Sequence, residues 1–167
     1  FACCLGVSDM CIRDRDWDYL CLGQHFLPEA LIYAGSRTGS RRVLERYVDT
    51  VLEGLSTGAY SCLCHPDLVD FAGDGAFYRK QMRRLCEGVK KMGIPLEINL
   101  LGLGEGRHYP NERFWTIAGE TENRAIIGVD AHDPASIGKH RIFEAALALA
   151  ERCGLEVEER MEFAAPA

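Results

Sequence analysis

The sequence predicts an α/β fold built on a parallel sheet, and three observations carry that expectation. Short apolar runs with strand character alternate with amphipathic helical stripes from residue 16 onward. Turn-forming Gly, Ser and Pro punctuate each transition. Residues able to bind metal or phosphate collect where strand-like runs end: His25, His65, and the pair Asp130 and His132. Chemistry at the C-terminal ends of parallel strands is the rule for TIM-type barrels and for doubly wound sheets alike, and periodicity alone leaves that choice open.

The first strand is expected over 19–25, ending in Gly23-Gln24-His25. The Gly/Ser-rich stretch 35–40 follows, and Ser40 is positioned to cap a helix whose stripe is Val43, Leu44, Tyr47, Val48, Val51, Leu52 and Leu55. Gly54 and Gly58 break it. A second strand over 60–64 must stop at His65-Pro66, because proline cannot donate to a central ladder. The helix expected over 76–92 turns Phe77, Met82, Leu85 and Val89 inward and leaves Arg79, Lys80, Arg83, Arg84, Lys90 and Lys91 as a solvated face, with Gly93 closing it. A third strand over 94–100 leads into a glycine-punctuated loop over 102–106, then Arg107-His108-Tyr109-Pro110 and a short helix over 112–118. The fourth strand spans 125–128, a loop and final helix occupy 135–153, and 156–161 forms a closing strand.

With 167 residues, 47% of them hydrophobic and 26% charged, the chain has the composition of a single ordinary globular domain. A net charge of -6 opposes a nucleic-acid backbone as partner, since neutralising phosphates needs a basic surface. No apolar run reaches the roughly 18–20 residues of a membrane span, so neither nucleic acid nor membrane is expected as a partner, and the cytoplasm is the expected compartment. The eight cysteines fit neither a disulfide scaffold nor paired C-x-x-C zinc ligands. Cys21, Cys62, Cys64 and Cys86 fall inside apolar runs and read as small buried hydrophobes; a Cys62/Cys64 metal site lacks visible partner ligands. Residues 1–15 show neither helical nor strand patterning, and Ser8 to Arg15 resembles a string that recurs at the ends of translated shotgun reads. They are expected to be a non-native leader, with the domain beginning at residue 16.

Each candidate residue has a plain structural alternative: a hydrogen-bonded core histidine for His25, a turn residue for His65, a simple turn for Asp133-Pro134. Three such coincidences at three strand ends are less economical than one shared site. Alternate residues share one strand face, so Asp130 and His132 point into one cavity, as do Glu97 and Asn99. Imidazole with carboxylate suits zinc, iron or manganese, metals that activate water and neutralise phosphoryl oxygens, so hydrolysis is the reaction class served best. Arg107, after a flexible loop, could hold a phosphate through a bidentate pair. His108 is expected to be exposed.

Taken together, Gly23-Gln24-His25-Phe26, His65-Pro66-Asp67, Leu96-Glu97-Ile98-Asn99, Arg107-His108-Tyr109-Pro110 and Gly128-Val129-Asp130-Ala131-His132 resemble the histidinol-phosphatase branch of the PHP (polymerase and histidinol phosphatase) family. The likeness runs from residue 16 to about 154. It implies a distorted (β/α)7 TIM-like barrel with up to three divalent transition metals at the strand ends, hydrolysing L-histidinol phosphate to L-histidinol and phosphate in histidine biosynthesis. By this resemblance His25 and His65 would share one metal, Asp130 would ligate a second and His132 a third. Asp130 and His132 would be catalytic, Arg107 would bind phosphate, and Glu97 and Asn99 would match the family strand without being ligands. The family's His-x-His motif and bridging glutamate have no counterpart in these residues. A whole barrel of this kind takes roughly 200–250 residues, so the expectation is the C-terminal part of an incomplete barrel, inactive by itself. The competing expectations are another PHP-type phosphoesterase and a non-catalytic α/β module.

Overall fold

The computed structural model describes residues 19–27, 32–134 and 137–161, so the expected leader and its boundary at residue 16 lie outside the described residues. Five parallel strands form the central sheet: β1 (Cys21–Leu22), β4 (Cys62–Leu63), β5 (Leu96–Asn99), β6 (Arg124–Gly128) and β7 (Glu156–Val157). A separate antiparallel pair, β2 (Phe26–Leu27) and β3 (Ile32–Tyr33), leaves the first strand's end. Five helices complete the described fold: α1 (Arg41–Ser56), α2 (Gly75–Lys91), α3 (Leu100–Gly104), α4 (Glu112–Glu120) and α5 (His140–Arg152).

Strands join the sheet in the order in which the chain makes them, with no reversal. Right-handed crossovers in one unbroken direction place their helices on a single face, whereas a doubly wound sheet reverses and covers both. The packing agrees. Alternate residues Leu22, Leu63, Leu96, Ile98 and Ala125 join the helices in one core. The opposite face carries a second cluster, Cys21, Cys62 and Cys64 with Tyr19, Ile126 and Met161, to which no described helix contributes. The sheet thus has a helix-covered outer face and an inner face that carries the polar residues Glu97 and Asn99.

The two long helices form where apolar spacing and caps coincide. Ser40 accepts the Val43 N–H at the start of α1, which buries Leu44, Tyr47, Val48, Val51 and Leu55. Asp74 accepts the Phe77 N–H at the start of α2, which buries Tyr78, Met82, Leu85, Cys86 and Val89. Lys90 and Lys91 occupy the last turn of α2, where cations oppose the helix dipole, and Gly93 follows at φ 70°. The arginines expected to be a solvated face are half-exposed but paired: Arg79 and Arg83 with Glu120, and Arg84 with Asp49. The helix packs between α1 and α4, so its flanks meet acidic residues on both neighbours.

Three local expectations are corrected. The stretch expected to be a glycine loop is largely α3, because the Asn99 side chain caps it by accepting the Gly102 N–H at 2.8 Å. Gly102 is needed there: a Cβ would lie 2.5 Å from the Tyr109 carbonyl oxygen. The first strand gives only two residues to the sheet before the chain turns into β2, and the closing strand is likewise only two residues long. His108 is half-buried, its Nε2–H donating to the Leu68 carbonyl at 2.6 Å. No described helix is long and apolar enough to cross a membrane.

Candidate functional site

The inner face of the sheet is arranged in layers. Cys21 and Cys62 face each other across the β1–β4 pairing, and Cys64 follows two residues on, on the same face. One residue beyond the paired Leu63 and Leu96, Cys64 comes level with Glu97, which is in register with Ile126. Asn99 and Gly128 form the next pair. Beyond them the strands end, and His25, His65 and Asp130 follow β1, β4 and β6.

Glu97 is the hub of this arrangement. It is 5% exposed, and its Oε2 accepts the His65 backbone N–H at 3.0 Å and the Asn99 Nδ2–H at 3.3 Å. Asn99 Nδ2 also donates to Asp130 Oδ2 at 3.1 Å, so one amide ties β5 to the residue after β6. Burial pushes the Glu97 carboxyl up to about 7. Gly128 creates its space, since a Cβ there would sit 1.8 Å from Glu97 Oε1.

The structure brings His25 and His65 together, with ring centroids 4.8 Å apart in an edge-on arrangement. His25 Nδ1–H donates to the Gly23 carbonyl at 3.1 Å, which leaves the Nε2 lone pair available. His65 is 2% exposed, and its Nδ1 is buried with no hydrogen-bond partner. Burial, and then the neighbouring His25, holds the His65 imidazole down to about 4, so it is neutral at physiological pH. Its backbone is left-handed at φ 31°, as is that of Asp130 at φ 48°. Such conformations cost non-glycine residues on the order of 1–3 kcal/mol and gather at functional sites, although Glu122, away from this rim, shares the feature.

Asp130 Oδ1 lies 3.4 Å from His132 Nε2, and His132 is exposed. Arg107 is held on both sides: Nε donates to Glu105 at 2.7 Å and Nη1 to the Tyr109 hydroxyl at 2.7 Å. Its charge is felt at His65, and the Tyr109 ring lies 5.8 Å from that of His65, so the arginine borders the same rim. Glu105 is a competitor that a bound phosphate would have to displace from the guanidinium.

Asp67, which the sequence offers only as the last residue of His65-Pro66-Asp67 and not as a site residue, is a buried carboxyl two residues from His65. At 2% exposed it accepts the Asn111 N–H, its Oδ1 has no partner, and burial lifts its carboxyl to about 7. The signal available was a charged residue set directly before the apolar pair Leu68-Val69. Glu97 and Asn99, which a solvated strand end would have left open, are 5% and 1% exposed.

The cysteines require a second correction. Cys62 and Cys64 do have a partner: their sulfurs and that of Cys21 all lie within 4.8 Å of one another, and this buried group could hold a metal ion. The thiol hydrogen bonds of Cys62 and Cys64 pull the Cys21 thiol strongly down, and the Cys21 interaction pushes the other two up. Cys86 is buried within α2, as expected. No protein-family model matches the chain, and no curated protein matches it.

Proposed function

We propose that the rim of His25, His65, Asp130 and His132 belongs to a PHP-type phosphatase site on a (β/α)7-like barrel, which hydrolyses L-histidinol phosphate to L-histidinol and phosphate. The observation that carries this reading is convergence: three of the parallel strands, β1, β4 and β6, are followed within a few residues by these side chains, and the Glu97–Asn99 bridge on β5 binds the ends of β4 and β6 together.

The residues suit a divalent transition metal. His65 is neutral with an orphaned buried nitrogen, His25 has its other nitrogen committed to a carbonyl, and Asp130 adds an oxygen donor. Neutral imidazoles with carboxylate are the donor set of zinc, iron or manganese. When bound, such metals supply Lewis acidity and a water acidic enough to serve as nucleophile near neutral pH. The chain's own residues do the rest. Arg107 orients the phosphate and offsets its growing charge as water attacks phosphorus in line with the ester bond. The P–O bond breaks toward the alcohol oxygen, which takes up a proton. His132, held by Asp130, stands at the exposed edge where that proton can be delivered. The substrate is a small phosphate monoester, in keeping with the net charge of -6.

The test measures phosphate release from L-histidinol phosphate, with Mn²⁺ or Zn²⁺, by the full translation product of the gene and by the 167-residue chain alone. Activity is expected in the former, falling at least a hundredfold in His132→Ala and Asp130→Asn, with Arg107→Ala raising KM. A translation product that binds no transition metal, or a His132→Ala variant of unchanged activity, would refute the reading. The chain alone lacks counterparts of the family's His-x-His pair and is expected not to turn over.

A further inference from the structure

The inner face holds a second constellation that the phosphatase reading does not use. We infer that Cys21, Cys62 and Cys64 form a three-thiolate site for a thiophilic d¹⁰ metal ion, of which copper(I) is the best match. The bland alternative is three small hydrophobes, since all three are buried, at 8%, 2% and 9% exposure, beside Tyr19, Ile126 and Met161. Geometry separates the two readings. Cysteines that merely fill a sheet face have no reason to converge, yet here every sulfur lies within 4.8 Å of both others. Sulfurs sharing one ion at about 2.3 Å stand roughly 3.8–4.0 Å apart, so small side-chain rotations would complete the triangle.

The backbone fixes that triangle before any ion arrives. Register places Cys21 opposite Cys62, and the extended chain just past β4 returns Cys64 to the same face. Cys21 and Cys62 sit on the sheet, and Cys64, one residue past β4, is tied to it by its N–H donating to the Leu22 carbonyl at 2.8 Å, an arrangement that holds a site to tight tolerance. The three thiols are reduced in this structure, and among the described residues no other His, Cys, Asp or Glu joins the group. Soft thiolates suit both copper(I) and zinc, but zinc almost always completes a tetrahedron with a fourth ligand, which this group of three does not offer among the described residues. Three thiolates in a buried apolar setting fit the softer, lower-charge ion. Binding would displace the thiol protons to solvent.

This site uses none of the rim's histidines or carboxylates, although Cys64 lies level with Glu97 and directly precedes His65, and its test needs no catalytic activity. The reduced 167-residue chain is titrated without oxygen with Cu⁺, and in a parallel arm with Zn²⁺, following thiolate-to-metal charge-transfer absorption and proton release. One equivalent of Cu⁺ is expected, with affinity lowered at least a hundredfold in each of Cys21→Ser, Cys62→Ser and Cys64→Ser. Far-ultraviolet circular dichroism verifies that each variant is folded. Cys86→Ser, and the triple replacement of Cys3, Cys4 and Cys11 by serine, are expected to retain binding. No stoichiometric uptake, uptake unaffected by the sheet variants, or uptake that requires Cys3, Cys4 or Cys11 would overturn the site. Zn²⁺ bound through the same cysteines more tightly than Cu⁺ would overturn the choice of ion.

Discussion

Gly128→Ala is the sharpest test of the layered inner face, because a single methyl group would enter the space of the one carboxylate that ties three strand ends together. A Cβ at this position falls 1.8 Å from Glu97 Oε1, 2.5 Å from Cδ and 2.7 Å from Cγ. No small adjustment relieves an overlap with three consecutive atoms, so the Glu97 side chain must leave its position. It then loses the His65 N–H and the Asn99 amide as donors, and Asn99 loses part of its hold between Glu97 and Asp130. A hydrogen bond to a charged group contributes about 1.5–3 kcal/mol, and overpacking a tight interior costs about 1–3 kcal/mol. Since the two bonds share one acceptor atom and are not additive, the expected loss of unfolding free energy is about 3–5 kcal/mol.

Urea denaturation monitored by tryptophan fluorescence reads this loss, since Trp115 is fully buried. The decisive comparison is a double-mutant cycle. In a Glu97→Ala background there is no carboxyl group for the methyl to strike, so Gly128→Ala should then cost less than about 1 kcal/mol. If Gly128→Ala costs under about 1 kcal/mol in the wild-type background, or costs the same with and without Glu97, then Gly128 is not reserving space for this carboxylate and the hub reading fails.

Other expectations follow from the same contacts. Asp67 has a folded pKa of about 7 against an ordinary 3.8, so the folded state holds its proton more tightly than the unfolded chain does; the protein should lose stability as pH rises from about 4 to 7, by roughly 4 kcal/mol from this group. His65 acts with the opposite sign, because its depressed pKa removes stability as pH falls from about 6.5 to 4, so the informative quantity is the difference between the wild type and Asp67→Asn in metal-free buffer. That difference should grow from near zero at pH 4 to several kcal/mol in favour of the variant at pH 8, and a flat difference would refute the assignment. Gly119→Ala should destabilise by about 3 kcal/mol or more, because its Cβ would lie 1.8 Å from the Cys153 carbonyl oxygen where α4 meets the end of α5. Gly58→Ala meets no atom within 4 Å and is penalised only for its φ of 73°, so about 1 kcal/mol is expected; equal costs at the two sites would contradict the close approach.

What the sequence shows of this fold depends on whether the controlling contact is local. The helices α1 and α2 were legible because their apolar stripes and their end signals, Ser40 before the first and Gly93 after the second, lie within a few residues of one another. The helix α3 was not legible: Leu100 to Gly104 contains two glycines, and what stabilises it is the Asn99 cap and the approach of Tyr109. The strand ends could be named and grouped as one candidate site, but which side chains lie against each other on the inner face is a matter of register, which no run of residues records. Cys21 and Cys62 are forty-one positions apart in the numbering and opposite each other in the sheet. Asp67 was missed for a related reason. Only the packing around it, with Asn111 brought from another loop, shows that its carboxyl is buried rather than solvated.

The alternation along β4 and β5 explains how so short a sheet can serve structure and chemistry together. Leu63, Leu96 and Ile98 face the helices and are buried in the main core, so that face is committed to stability. The intervening positions Cys62, Cys64, Glu97 and Asn99 face the other way, and of these only Asn99 also serves a helix, as the cap of α3. A strand with a two-residue period can therefore change its inner side chains without disturbing its outer ones, provided each inner group finds a partner. Here the partners are found along the strands: thiol beside thiol, then carboxyl against backbone N–H and amide, then amide against the Asp130 carboxylate. Each layer fixes the one above it, which is why the His65 and Asp130 backbones can be held in left-handed conformations at the open end. The same continuity means that a charge placed in the cysteine layer acts on Glu97 directly, and through Glu97 on the residues that hold His65 and Asp130 in place.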